Sequence, residues 1–315
     1  MEYKEHYSVL KNECIFQFRE VQKFQSENEQ MELLFADLTF GAGGHSFAIL
    51  EEIENSKVYA TDQDPEAIEN GTKQIEARQL QSKIDLLHIN FEEFAHKMST
   101  NLSFEGLDGI LIDLGVSSHH FDKPDRGFSY RFDAPLDMRM NPNSGDPSAA
   151  DLLRDLSEEE LIKVFQDYGE EKLSTRIAEK ICEQRKTAPI KTTGELENLI
   201  FHCYPKKWRH GKTNPSTRVC QALRIAVNRE LDVLTRALCE LPPLLRPGGR
   251  LCIISFHSLE DRLVKHYFRR IARKEIELTG EYKVLTKKPI LPSAKELEEN
   301  NRSRSAKLRV LQRLS

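Results

Sequence analysis

Two carboxylates and one glycine-rich turn have the residue types and spacing from which chemistry can be read. In Phe35-Ala-Asp-Leu-Thr-Phe-Gly-Ala-Gly-Gly-His-Ser46 an apolar run gives way to Gly41, Gly43 and Gly44, and Ser46-Phe-Ala-Ile-Leu50 starts a helical pattern. Glycines in such a turn bring backbone close to a ligand because no Cβ stands between them. A second apolar stretch, Lys57-Val-Tyr-Ala-Thr, ends at Asp62. That is about 20 residues past the first glycine, where an acidic residue in an open α/β sheet accepts hydrogen bonds from ribose hydroxyls. A third, Leu107-Asp-Gly-Ile-Leu-Ile, ends at Asp113, at the sheet edge where such folds bind ligands. The pairing of turn and Asp62 points to an adenosine cofactor. The plainer readings are a turn that serves packing alone and an Asp113 that caps the following bend.

These positions require a sheet to carry them. Residues 31–115 read as strand, glycine loop, helix, strand, helix, strand, helix, strand, with Asp64 as N-cap and Pro65 at the first helical position. Ile84-Asp-Leu-Leu-His-Ile delivers Asn90 and Phe91 to a loop, where Phe91 either flanks an adenine ring or joins the core. The polar residues 1–30, with Cys14, Ile15 and Phe18 among them, predict a short helix or packed extension. The strand–helix alternation stops at Val116. A long irregular stretch rich in Arg, Asp and aromatics follows, and a loop of this kind is a functional one.

Helices come next: Ser148 caps one, Ser157 with Glu160 forms a capping box for another, Leu173–Arg185 is amphipathic, and Thr192 or Thr193 starts a fourth. The organisation predicted is a first sheet segment over 1–115, an inserted, mainly helical substrate-recognition domain over 116–214, and a second sheet segment over 215–315. That last part contains a fifth strand at Leu251–Phe256 and a final strand pair at Thr286–Pro292 and Ala306–Leu311.

The 315 residues, 39% hydrophobic and 30% charged, have the balance of a globular protein. No apolar run reaches the length of a membrane span and the N-terminus is too polar for a secretory signal, so a cytoplasmic location without membrane association is expected. Six scattered cysteines with no Cys-x-x-Cys pair read as free thiols. No structural metal is expected. The net charge of −4 leaves room for nucleic acid, because binding needs only a local basic face.

The ordered blocks extend well beyond the glycine loop. They are Asp37-Leu-Thr-Phe-Gly-Ala-Gly-Gly-His-Ser, Asp62-Gln-Asp-Pro, Asp108-Gly-Ile-Leu-Ile-Asp-Leu-Gly-Val-Ser-Ser, Arg126-Gly-Phe-Ser-Tyr-Arg, Ala134-Pro-Leu-Asp-Met-Arg-Met and Tyr168-Gly-Glu-Glu. Further on come Gln221-Ala-Leu-Arg-Ile, Val227-Asn, Gly248-Gly-Arg, Ile254-Ser-Phe-His-Ser-Leu-Glu-Asp-Arg, Thr286-Lys-Lys-Pro-Ile and Arg302-Ser-Arg-Ser-Ala-Lys-Leu-Arg. In these blocks the chain resembles the bacterial 16S ribosomal RNA (cytosine-N4) methyltransferase family, from His6 almost to Arg309.

The resemblance implies a Rossmann-like class I methyltransferase domain with an inserted small helical domain, and S-adenosylmethionine as donor. It implies Gly43, Gly44 and His45 on the donor's carboxypropyl side, Asp62 on its ribose, Phe91 near the adenine, Asp113 at the reacting end, and Gly41 and His120 as further cofactor-binding positions. It further implies 16S rRNA within the small ribosomal subunit as partner, and a homodimer. Ala42 stands where the family has Arg, and His119-His120 where it has Pro-Gln; the N-terminal stretch from Asn12 to Met31 also departs.

The reaction would be displacement of a sulfonium methyl by a cytosine amine, with Asp113 orienting the amine and Ser117 and Ser118 positioning the base. RNA needs stacking surfaces and positive charge. Arg126, Phe128, Tyr130, Arg131, Asp137 and Arg139 supply both, as do Lys206 and Trp208 in Lys206-Lys-Trp-Arg-His-Gly-Lys212, with Arg218 and His257 as further candidates. Each has a packing alternative. A methyltransferase of the same fold acting on another RNA is the nearest rival. A nicotinamide enzyme fits less well, since the loop lacks Gly-x-Gly-x-x-Gly spacing, and a non-enzymatic RNA-binding protein would have no need of Asp62 and Asp113.

Overall fold

A computed structural model describes residues 8–25, 32–129, 132–211 and 214–315. In chain order the elements are α1 (Lys11–Gln25), β1 (Leu33–Asp37), α2 (Gly44–Glu52), β2 (Ser56–Asp62), α3 (Pro65–Ala77), β3 (Ile84–His88), α4 (Phe91–Ser99) and β4 (Leu107–Asp113). Then follow α5 (Ser118–Asp122), α6 (Ala149–Asp155), α7 (Glu158–Gly169), α8 (Ser174–Gln184), α9 (Thr193–Cys203), α10 (Thr217–Asn228) and α11 (Glu230–Glu240). The chain ends with β5 (Leu245–Ser255), α12 (Ser258–Ala272), β6 (Tyr282–Val284), α13 (Ala294–Glu299) and β7 (Lys307–Arg313).

Two compact units emerge. The first joins Met1–Gly115 to Leu231–Ser315 and the second is Val116–Glu230. The helix α10, read from sequence as part of the resumed sheet segment, belongs to the helical unit: its Val219, Ala222, Leu223 and Val227 are buried with Phe165 of α7 and Ile177 of α8. The boundary expected at 214/215 therefore falls at 230/231. Buried apolar spacing along α10 decides this, and sequence periodicity does not say against which partner such a face is buried.

In the first unit the strands form one seven-stranded sheet of order β3-β2-β1-β4-β5-β7-β6. β1, β2, β3, β4 and β5 are parallel neighbours, whereas β7 runs antiparallel to both β5 and β6. The order reverses between β1 and β4, and the crevice beyond the strand ends at such a reversal is where open α/β sheets bind ligands. Layers of side chains flank the sheet: Phe94 of α4, Leu238 of α11 and Phe268 of α12 belong to one buried cluster, and Phe18 of α1 and Ile49 of α2 to another. Phe18 lies 5.0 Å from Phe35, ring centre to ring centre, so the N-terminal helix is a packed layer.

The final strand pair differs from expectation. β7 pairs with β6, while Thr286–Pro292 contributes only an isolated bridge from Ile290 to Leu308. Pro289 and Pro292 lack the N–H a ladder needs, and the buried Thr286 hydroxyl accepts the Val310 N–H at 2.9 Å.

The helical unit follows its caps closely. Ser148, Ser157 and Thr192 each accept a backbone N–H from the residue three positions on, as the capping boxes predict.

Candidate active site

The glycine turn leaves the end of β1 with two left-handed residues, Gly41 at φ +53° and Gly43 at φ +81°. Gly43 has a packing reason to be glycine, since a Cβ there would stand 2.6 Å from the rings of Phe40 and Phe47. Gly41 has a different one. A Cβ there would make only ordinary contact, 3.9 Å from the Thr39 carbonyl oxygen, so its left-handed backbone and not crowding favours glycine. Gly44 opens α2.

Asp62 ends β2 and holds this turn. Its Oδ2 accepts the Gly41 N–H at 2.8 Å and its Oδ1 the Asp64 N–H at 2.9 Å. Burial pushes the carboxyl up to about 6, against the opposing pull of those two N–H groups. A carboxylate has about four acceptor positions, so two taken by the backbone leave capacity for hydroxyl donors.

Asp113 ends β4 beside Ile254 of β5. Its N–H donates to the Thr39 hydroxyl at 2.7 Å, which ties it to the start of the glycine turn. Its Oδ1 is buried and has no hydrogen-bond partner among the described residues. Burial pushes this carboxyl well above its ordinary range, with the negative charges of Asp37, Glu260 and Glu296 adding to the effect. Gly115, two residues on, has nothing closer to a Cβ position than Phe256 at 3.7 Å. The uncrowded Gly41 and Gly115, the acceptor capacity of Asp62 and the orphaned oxygen of Asp113 suit a ligand with ribose hydroxyls at one end and a donor group or positive charge at the other.

Three residues that sequence reasoning passed over belong to this edge. Asp37 is fully buried and accepts the Ser46 hydroxyl at 2.7 Å, joining the end of β1 to α2. Thr39 supplies the tie to Asp113. Glu260, 2% exposed, accepts the N–H groups of Phe256 and His257 through Oε2, at 2.8 and 3.2 Å. A carboxylate at the very end of an apolar strand was the available signal for Asp37, and the His-x-x-Glu spacing for Glu260.

Other expected positions are buried. His45 is buried and its Nε2 donates to the Val9 carbonyl at 3.0 Å; burial lowers its pKa, only partly offset by the nearby Asp37. Phe91 begins α4 within the apolar cluster, 9% exposed, so a base would meet little of its ring. His257 is the N-cap residue of α12, with its side chain 10% exposed.

In the helical unit, Ser117 is the N-cap of α5 and Ser118 its first residue. The Ser117 N–H donates to His120 Nδ1 at 3.2 Å, and the buried His120 ring lies 4.8 Å from that of Phe128. Phe128 is 6% exposed, so little of it is open to a base in this conformation. Arg126 is likewise buried and donates to the carbonyls of Arg139 and Met140 at 3.2 and 2.8 Å. Asp137 and Arg139 grip each other through two contacts of 2.8 and 2.7 Å. Burial raises the Asp137 carboxyl, but the Arg139 hydrogen bonds and charge outweigh it and the net shift is downward. These side chains are spent on the shape of their own loop, which had no regular period from which that could be read. Tyr130 and Arg131 lie outside the described residues.

The basic tip stands apart from them. Lys206–Trp208 form a single 3-10 turn after α9, and Trp208 is 54% exposed with Lys207 Nζ 5.2 Å from its ring centre. Arg209 lies over Phe201 at 5.1 Å. Arg218 is exposed on α10, 3.5 Å from the Glu170 carbonyl.

Residues 3–314 match the profile of the MraW methylase family. The chain belongs to that family. A "Ribosomal RNA small subunit methyltransferase H" of Clostridioides difficile (strain 630) is 41% identical over 320 aligned positions, covering 98% of this chain and 99% of the relative. One of the same name from Finegoldia magna is 42% identical across the whole of both chains. One from Leptospira interrogans serovar copenhageni is 44% identical, covering 98% of this chain and 89% of that one. A solved rRNA methylase from Streptococcus thermophilus aligns at 12% identity with a TM-score of 0.41, covering 93% of this chain and 94% of that one, too distant to bear on function. Among the described residues no helix is long and apolar enough to cross a membrane.

Proposed function

We propose that this chain transfers a methyl group from S-adenosylmethionine to the exocyclic N4 of a cytidine in the decoding region of 16S ribosomal RNA, in the cytoplasm and on the small subunit. Membership of a methylase family and the names of its relatives support the class of reaction and the class of RNA. The observation that carries the reading to particular residues is the pairing of Asp62 on the Gly41 N–H with an unpartnered Asp113 Oδ1 two strands away in the same sheet.

The donor supplies an electrophilic methyl on a sulfonium and leaves as a neutral thioether. Gly41, Gly43 and Gly44 let backbone reach it, and Asp62 takes its ribose hydroxyls. Asp113 accepts a hydrogen bond from the cytosine amine, whose lone pair is delocalised into the ring and attacks only when held in line. The buried, negatively surrounded carboxyl gains from any such donor. Ser117 and Ser118 belong to this reading as groups that position the base, and Lys206, Trp208 and Arg218 as contacts to the strand around it.

The test is mass mapping of nucleosides in small subunits incubated with labelled donor. N4-methylcytidine in 16S RNA is the expected product. Its absence, or a methyl group on another base, overturns the assignment.

A further inference from the structure

His257 stands just past the end of β5, next to the strand that ends in Asp113. Its side chain is nine-tenths buried, and among the described residues neither ring nitrogen has a hydrogen-bond partner. Its Nε2 lies 3.0 Å from Glu260 Oε1. Glu260 is held in place by the two backbone N–H groups on its other oxygen, so the contact is built into the entry of α12 and does not depend on a mobile surface chain. A buried imidazole with one nitrogen 3.0 Å from a fixed carboxylate and neither nitrogen in a well-formed hydrogen bond is expensive as packing. A carboxylate held at this distance orients the ring of a histidine, as in proton-transfer sites.

Asp113 alone leaves the reaction incomplete. Once N4 has bonded to the methyl carbon and the C–S bond has broken with its electron pair on sulfur, N4 carries one hydrogen too many and a positive charge. Asp113 lies among Asp37, Glu260 and Glu296, a setting that favours its neutral form over the ionised one, and a neutral carboxyl takes no further proton readily.

We propose that His257 Nδ1 accepts the proton released by N4, with Glu260 as the positioning residue that holds the ring and balances the imidazolium charge. The proton then passes from the imidazole to water as product leaves. The proposal rests on the methyltransferase reading above and assigns the one transfer that reading leaves open.

The experiment is single-turnover methylation of small subunits by the full-length protein, alongside calorimetric binding of S-adenosylhomocysteine. His257→Ala should bind the homocysteine as the unaltered protein does and methylate about a hundredfold more slowly, the usual contribution of a general base. Added imidazole should restore the rate in proportion to its unprotonated fraction. His257→Gln, which fills the space but takes no proton, should be as slow and gain nothing from imidazole. Glu260→Gln, which keeps an acceptor oxygen for the two N–H groups, should lower kcat and leave KM for the subunit unchanged. A rate within threefold of normal in either histidine variant overturns the proposal, as does a slow His257→Ala that imidazole fails to restore. Should His257→Ala no longer bind the homocysteine, the rate of His257→Gln decides. Failure of the unaltered protein to form N4-methylcytidine is a separate result and defeats the underlying reading instead.

Discussion

The carboxylate of Asp62 accepts the backbone N–H of Gly41 at 2.8 Å, so the acid that ends one strand also fixes the turn that leaves its neighbour. Ligand affinity should therefore titrate with Asp62. Native Asp62 titrates near 6 because it is buried, and ribose hydroxyls donate best to the ionised form, so bound ligand draws that value down and binding releases a proton. Affinity for S-adenosylhomocysteine is then constant well above pH 6 and weakens as pH falls through 6, by up to tenfold per unit. Calorimetry from pH 5 to 8 measures this, and Asp62→Asn should bind weakly with no inflection there.

Gly43 and Gly41 should respond unequally to alanine. Gly43→Ala adds a left-handed penalty to a 2.6 Å clash with Phe40 and Phe47, together about 2–5 kcal/mol. Gly41→Ala makes only an ordinary 3.9 Å contact with the Thr39 carbonyl oxygen and carries the backbone penalty alone, about 1–2 kcal/mol. Urea unfolding of the two variants tests the difference.

Asp113 predicts a pH-dependent gain in stability on neutralisation. Its folded-state value is raised, so the native chain keeps a proton that the unfolded chain gives up, and stability falls as pH rises above the ordinary carboxylate range. Asp113→Asn removes that penalty. Its melting temperature should exceed the unaltered protein's at pH 8 and match it in strong acid, while methylation is lost; equal melting temperatures at pH 8 would contradict the buried-charge account.

Arg246 should matter to the fold alone. Its Nη1 contacts Asp108 Oδ2 at 2.8 Å, and that oxygen also takes the Leu34 N–H, joining β1, β4 and β5. Arg246→Ala removes the cation beside this buried carboxylate, at a cost of up to about 3–5 kcal/mol, seen as a lower denaturation midpoint.

Trp208 and Lys206 should do the reverse. Both are exposed, so Trp208→Ala should leave the melting temperature unchanged and weaken subunit binding by about 1–3 kcal/mol. Lys206→Ala should flatten the salt dependence of binding by about one ion. Filter binding at several salt concentrations separates the two.

Much of this was written in the chain itself. Strand ends at Asp62 and Asp113, the glycine turn between apolar strand and helix, and the caps at Asp64, Ser148, Ser157 and Thr192 are local matters, in which a residue's type acts on neighbours within a few positions. What the sequence by itself determined was therefore the sheet edge and the kind of ligand it meets. Tertiary structure alone decided the rest. Arg126, Phe128, Asp137 and Arg139 look from their types like an RNA-reading loop, and they are consumed by contacts with each other, with His120 and with carbonyls up to 14 positions away. Helix α10 has an apolar face that any partner would satisfy, and only packing gave it to the helical unit. The histidine past β5 was visible as a residue, but its carboxylate partner and its unused nitrogen were not, because desolvation and hydrogen-bond satisfaction depend on what surrounds an atom in space and not on what adjoins it in the chain.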